Sequence, residues 1–151
     1  MNRRIQCVAI AFLAATSGWA LAAGDSGGTG GRDAAYDAGV KAIEHQDWAG
    51  AIRQLKTSIA RDRFNADAHN WLGYAYRNSG DLTRAFAEYE EALRLDPQHR
   101  GAHEYVGEAY VMAKNIPKAR EHLAALEKLC GRNCPEYKDL DEAITKAGTG
   151  G

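Results

Sequence analysis

An excess of basic charge is missing from this chain, and cysteine is scarce. Nineteen lysines and arginines face twenty aspartates and glutamates. If residues 1–22 are removed, Arg3 and Arg4 leave with them, so 17 basic residues face 20 acidic ones, a formal charge of −3. A mildly acidic domain offers no electrostatic footprint for a polyphosphate, which excludes nucleic acid as the expected partner. Of the three cysteines, Cys7 lies in the N-terminal stretch, which leaves Cys130 and Cys134. Their spacing is not the Cys-x-x-Cys of a typical redox dithiol. A placed nucleophile, base and oxyanion donor cannot be assembled either, so the expectation is a protein that is not an enzyme and needs no cofactor.

The N-terminus has its own order. Asn2-Arg3-Arg4 is a short basic start, and Ile5 to Leu21 is apolar apart from Gln6, Thr16, Ser17 and Gly18. Ala20-Leu21-Ala22 then supplies small residues where signal peptidase needs them. This order predicts a secretory signal peptide over residues 1–22, cleaved near Ala22, and a periplasmic or secreted product with no membrane contact after cleavage. The alternative is a retained anchor, because the apolar run nearly spans a bilayer. Residues 23–31 follow as a glycine-rich flexible linker, whose GDSGGTGG segment spans about 15 Å by random-coil scaling. That segment contains the string found around a serine-protease nucleophile. No histidine precedes Ser26 to act as its base, and no strand precedes it to form a phosphate loop.

What the chain does contain is a period of thirty-four. Gly39, Gly73 and Gly107 keep that spacing, as do Ala51, Ala85 and Ala119, and Ala34, Ala68 and Ala102. Trp48, Leu82 and Ile116 recur in step, each behind Asp47, Asp81 or Asn115, residue types that cap helix starts. The units therefore run 32–65, 66–99 and 100–133. In the middle unit, His69, Leu72, Gly73 and Tyr76 mark one helix face, and Leu82, Ala85, Tyr89, Ala92 and Leu93 a second. Asp96-Pro97 ends that second helix, since proline disfavours helix just before it. Glycine and alanine at the crossing let two helices approach closely.

These residues resemble the tetratricopeptide-repeat (TPR) family. The signature W-x2-L-G-x2-Y…A-x3-F…P falls on His69, Leu72, Gly73, Tyr76, Ala85, Tyr89 and Pro97, with His69 replacing the tryptophan. The third unit matches through His103, Val106, Gly107, Tyr110, Ala119 and Leu123 but lacks the proline. The first matches through Gly39, Ala42, Ala51 and Leu55. The resemblance implies an all-α solenoid of three helix-turn-helix repeats. A capping helix over 134–147 would shield the last repeat through Tyr137, Leu140, Ala143 and Ile144, with Pro135 at its first position. Residues 148–151 are read as a fraying, disordered tail.

The resemblance also implies that the first helix of each repeat lines a concave groove. The partner-binding residues carried over are Tyr36, Asn70, Tyr74, Arg77, Glu104, Glu108 and Met112. Aromatic, methionine and arginine side chains suit an interaction surface. The family's clamp for a terminal carboxylate, built from lysines and asparagines, is not reproduced. Tyr36, Val40, Glu104 and Glu108 stand at the matching positions, and only Asn70 keeps the chemistry. Glu104 and Glu108 would repel a carboxylate, so a neutral or basic protein segment is the expected partner. The implied function is an exported scaffold or adaptor that binds protein through this groove.

Cys130 and Cys134 flank Gly131-Arg132-Asn133, a spacing that permits a disulfide across one turn. A metal or redox role for the pair stands as an alternative, with His122 the nearest histidine in sequence. His99 and His103 lie four apart, a spacing that suits a metal if both share a helix face. Packing is the other role open to His103, which shares its repeat position with His69.

Overall fold

A computed structural model describes residues 33–149. The predicted signal peptide, the glycine-rich linker and Gly150–Gly151 lie outside the described residues. Among those described, seven helices follow one another: α1 (Ala34–Glu44), α2 (Trp48–Arg61), α3 (Ala66–Asn78), α4 (Leu82–Leu95), α5 (Arg100–Met112), α6 (Ile116–Cys130) and α7 (Pro135–Thr149). The fold is the all-α helical solenoid that the period of thirty-four implies.

The helix starts follow from the side chains that precede them. Asp47, Asp81 and Asn115 each accept a hydrogen bond from the backbone N–H three residues on, at 2.8, 2.9 and 3.2 Å. Asn65 does the same for α3 at 2.9 Å, and Asp33 bonds Ala35 N at 3.0 Å for α1. Each bond satisfies a donor that the helix itself cannot pair. The turn within each repeat is equally periodic. Gln46, Gly80 and Lys114, spaced by thirty-four, have φ of 57°, 90° and 58°. That left-handed residue reverses the chain between the paired helices, and only the middle repeat places glycine there.

Within repeats 1 and 2, a glycine on the first helix receives a large side chain from the second. A Cβ on Gly39 would meet Leu55 Cγ at 2.6 Å, and one on Gly73 would meet Tyr89 Cε1 at 2.6 Å. At Gly107 the nearest atom belongs instead to Leu140 of α7, at 2.5 Å. The cap therefore fills the socket that a further repeat would otherwise leave open. Ala51, Ala85 and Ala119 are fully covered at the helix crossings, and Leu55, Leu72, Tyr89, Leu126 and Leu140 fill the space between them. Burial of each such large side chain contributes about 2 kcal/mol.

The curvature can be read from which helices touch. Each odd-numbered helix packs against the next odd one, α1 on α3, α3 on α5 and α5 on α7, whereas no such contact joins α2 to α4 or α4 to α6 among the described residues. The odd helices therefore crowd the inner side of a curved array, and α7 takes the inner place of a fourth repeat.

One boundary differs from expectation. The cap helix does not stop at residue 147 but continues through Gly148 and Thr149. Thr149 Oγ1 bonds the carbonyls of Thr145 and Lys146 at 3.3 and 3.1 Å, so the last turn holds without packing. An exposed glycine costs a helix only about 1 kcal/mol, and Gly148 has open space around it. Among the described residues, no helix is long and apolar enough to cross a membrane.

Candidate peptide-binding groove

The inner wall is formed by α1, α3, α5 and α7, and its character changes along the array. At the α1 end a cleft of about 570 Å³ lies between Tyr36, Val40 and Trp71, with Asp37, Lys41 and Glu44 at its edge. Trp71 Nε1 donates to Tyr36 Oη at 3.1 Å, which fixes both rings. Tyr74 stands next along α3. Its ring lies edge-on to Trp48 and Trp71 at 6.2 and 5.7 Å and tilts against Tyr105 at 4.9 Å. Helices of all three repeats thus share one aromatic cluster, in arrangements that ring quadrupoles favour.

Arg77 sits behind that cluster. Its guanidinium carbon lies 5.0 Å from the Tyr74 ring centre and 5.5 Å from that of Tyr105. It donates to the Tyr105 carbonyl at 3.3 Å and is bonded to the Glu108 carboxylate. Only 8% of Arg77 is exposed, and only 3% of Asn70. Both are among the expected partner contacts, and both offer a partner little surface. Arg77 is held in an internal ion pair that fixes α3 against α5, and Asn70 is covered where α3 meets Gly101. Contacts between neighbouring repeats cover both residues, a result that inward-facing repeat positions alone do not reveal.

Beyond Arg77 the wall turns acidic. Glu104 is half-buried on α5, and its carboxyl is pushed up to about 8 by burial first, then by Glu108 and by Asp139 and Glu136 of α7, while Arg77 opposes. Among the described residues neither Glu104 nor Asp139 makes an ion pair, whereas Glu136 lies 3.5 Å from Arg100. Met112, 55% exposed, stands at the end of α5. Tyr36, Tyr74, Glu104, Glu108 and Met112 therefore keep some accessible surface. Trp71, Tyr105 and Asp139, which carry no mark in the repeat pattern, join them in the folded chain.

The candidate ligands for a metal are not brought together as the sequence suggested. His99 is the cap of α5 rather than part of it. Its Nδ1 accepts from Ala102 N at 3.1 Å and its Nε2 lies 3.0 Å from Asp67, while His103 turns to His122. Cys130 ends α6 and Cys134 precedes α7, with Cα atoms 5.9 Å apart and Sγ atoms 2.10 Å apart. The ligand-type group beside these sulfurs is the Glu136 carboxylate, not His122.

The tetratricopeptide-repeat family matches this chain over residues 36–99 and again over 77–144. A curated relative, tetratricopeptide repeat protein 1 of Schizosaccharomyces pombe, is 23% identical over 114 residues, 68% of this chain; the chain spans 11% of that protein's length. The TPR2B domain of yeast Sti1 in its pHsp70 complex superposes with a TM-score of 0.70 at 21% identity, over 76% of this chain and 94% of that one. The first TPR of Spaghetti (RPAP3) bound to the HSP90 peptide SRMEEVD gives 0.68 at 17% identity, over 76% and 90%. The type III secretion chaperone SycD of Yersinia enterocolitica, in complex with a peptide of the translocator YopD, gives 0.65 at 16% identity, over 75% and 86%. With the repeat register, the curved array and the family match in agreement, the chain belongs to the tetratricopeptide-repeat family.

Proposed function

We propose that this protein is an exported, non-catalytic docking protein whose inner wall binds a cationic stretch of another polypeptide. The observation that carries the reading is the pairing pattern along the wall. Arg77 is already committed to Glu108, while among the described residues neither Glu104 nor Asp139 makes an ion pair. A lysine or arginine entering beside Glu104 would draw its raised carboxyl into the ionised form and pair with it, and the rings of Tyr36, Trp71 and Tyr74 would cover apolar flanking residues. Peptide complexes among the solved relatives support a protein or peptide ligand. The acidic terminus of a peptide such as SRMEEVD would meet like charge here. Export is supported by the order of basic, apolar and small residues in 1–22.

Selection of random peptides displayed against the immobilised protein tests the reading. Enrichment of lysine and arginine beside an apolar residue is expected. Enrichment of acidic sequences, or of none, would overturn it.

A further inference from the structure

Repeats 2 and 3 carry a histidine in the same register, His69 and His103, and each ring faces the residue nineteen further along, on the second helix of its own repeat. In both, Nε2 lies against a backbone carbonyl six residues earlier, that of Arg63 at 3.2 Å and that of Pro97 at 3.1 Å. A carbonyl only accepts, so Nε2 carries the hydrogen in each ring. The two sites part company at Nδ1. His69 Nδ1 lies 2.7 Å from Glu88 Oε2, so a carboxylate oxygen already occupies that nitrogen. Thirty-four residues later the glutamate is replaced by His122, whose Nδ1 lies 3.0 Å from His103 Nδ1.

With its hydrogen on Nε2, neutral His103 directs a lone pair at His122 Nδ1, and one hydrogen between the rings holds them together. The Tyr110 ring stacks on His122 at 5.7 Å and holds it in place. Both histidines are half-buried, which leaves water a way in.

We propose that His103 and His122 together form a two-imidazole site for a divalent transition-metal ion of the zinc class, with water completing the coordination. Neutral imidazole nitrogen is a preferred ligand for such ions. Two nitrogens bound tetrahedrally at about 2.0–2.1 Å stand roughly 3.4 Å apart, so the pair would open by a few tenths of an ångström and each ring, now pointing straight at the other, would turn by about 35°. As the ion binds, the hydrogen on His122 Nδ1 leaves to solvent and His122 Nε2 takes one up. The rings stay neutral and the ion's charge is unchanged. In repeat 2 the corresponding pair is an imidazole already bonded to a carboxylate, which explains why the site belongs to the third repeat.

The test uses the full chain without an affinity tag, stripped with a chelator and titrated with zinc chloride by calorimetry. One ion per chain is expected. His103→Gln and His122→Gln should each weaken binding by at least about tenfold, and His99→Gln should leave it unchanged. Side-chain 15N spectra of the unmutated protein provide a second readout that does not depend on a variant folding. Zinc should move the Nδ1 signals of His103 and His122 and leave those of His69 in place. No saturable binding, undiminished binding in folded His122→Gln, or shifts confined to other histidines would overturn the site.

Discussion

The Arg77 guanidinium is bonded to the Glu108 carboxylate across the contact between α3 and α5, and the arginine is 8% exposed. Loss of one partner from such a pair leaves a covered charge without compensation. Glu108→Ala is therefore expected to lower the unfolding free energy by about 3 kcal/mol. Arg77→Met combined with Glu108→Leu should recover most of that loss, because both desolvated groups disappear together. Urea unfolding of the single and double variants measures this. Simple additivity would show that the two residues act separately.

Tyr89 carries a second buried polar group. Its ring closes over Gly73, yet its hydroxyl finds no hydrogen-bond partner among the described residues, and burial pushes its ionisation far above the usual phenol range. Tyr89→Phe keeps the ring and removes the orphaned oxygen, so a gain of about 1 kcal/mol is expected. A loss of that size in thermal unfolding would contradict the orphan assignment.

Gln46 and Lys114 hold left-handed backbone where the middle repeat has Gly80. A side chain in that conformation costs about 1 kcal/mol or more, part of which glycine gives back through its freer unfolded chain. Gln46→Gly and Lys114→Gly should each stabilise by roughly 0.5 kcal/mol, and the pair should add. Gly80→Ala should do the reverse. Melting temperatures that fall in the glycine variants would show that those side chains matter more than the turn.

These turn residues also show how far the sequence could be read. The period of thirty-four gave the helix pairs, the caps at Asp47, Asp81 and Asn115, and the sockets at Gly39 and Gly73, because each is a local or intra-repeat constraint. The burial of Asn70 and Arg77 was not legible, since it arises where separate repeats meet. The acidic end of the wall was legible in Glu104 and Glu108 but not in Asp139, which reaches Glu104 only once α7 takes the place of a fourth repeat. Trp71 and Tyr105 fall outside the repeat signature and so went unmarked. The His103–His122 contact left a trace, since shifting the His69–Glu88 register by one repeat lands on it.

Acid–base behaviour provides a separate check on that acidic end. The Glu104 carboxyl rises from its ordinary 4.5 to about 8, with burial the main cause and Glu108 next. A raised carboxyl binds its proton more tightly in the folded chain. Its favourable contribution is therefore complete below pH 4.5 and is lost as the pH climbs to about 8. Glu104→Gln cannot ionise. Its stability relative to the unmutated protein should rise from pH 4.5 to 8 and then level off. Melting temperatures of both proteins across that range decide the matter, and a difference that does not change with pH would place Glu104 in ordinary solvent.

The most direct measurement compares two short peptides that differ only in one lysine replaced by glutamate, titrated by calorimetry into the unmutated protein and into Glu104→Gln/Asp139→Asn. The lysine peptide should bind at least about tenfold more tightly to the unmutated protein, and the double variant should lose most of that preference. Equal or tighter binding of the glutamate peptide, or a preference untouched by the double variant, would contradict a groove built for cationic segments.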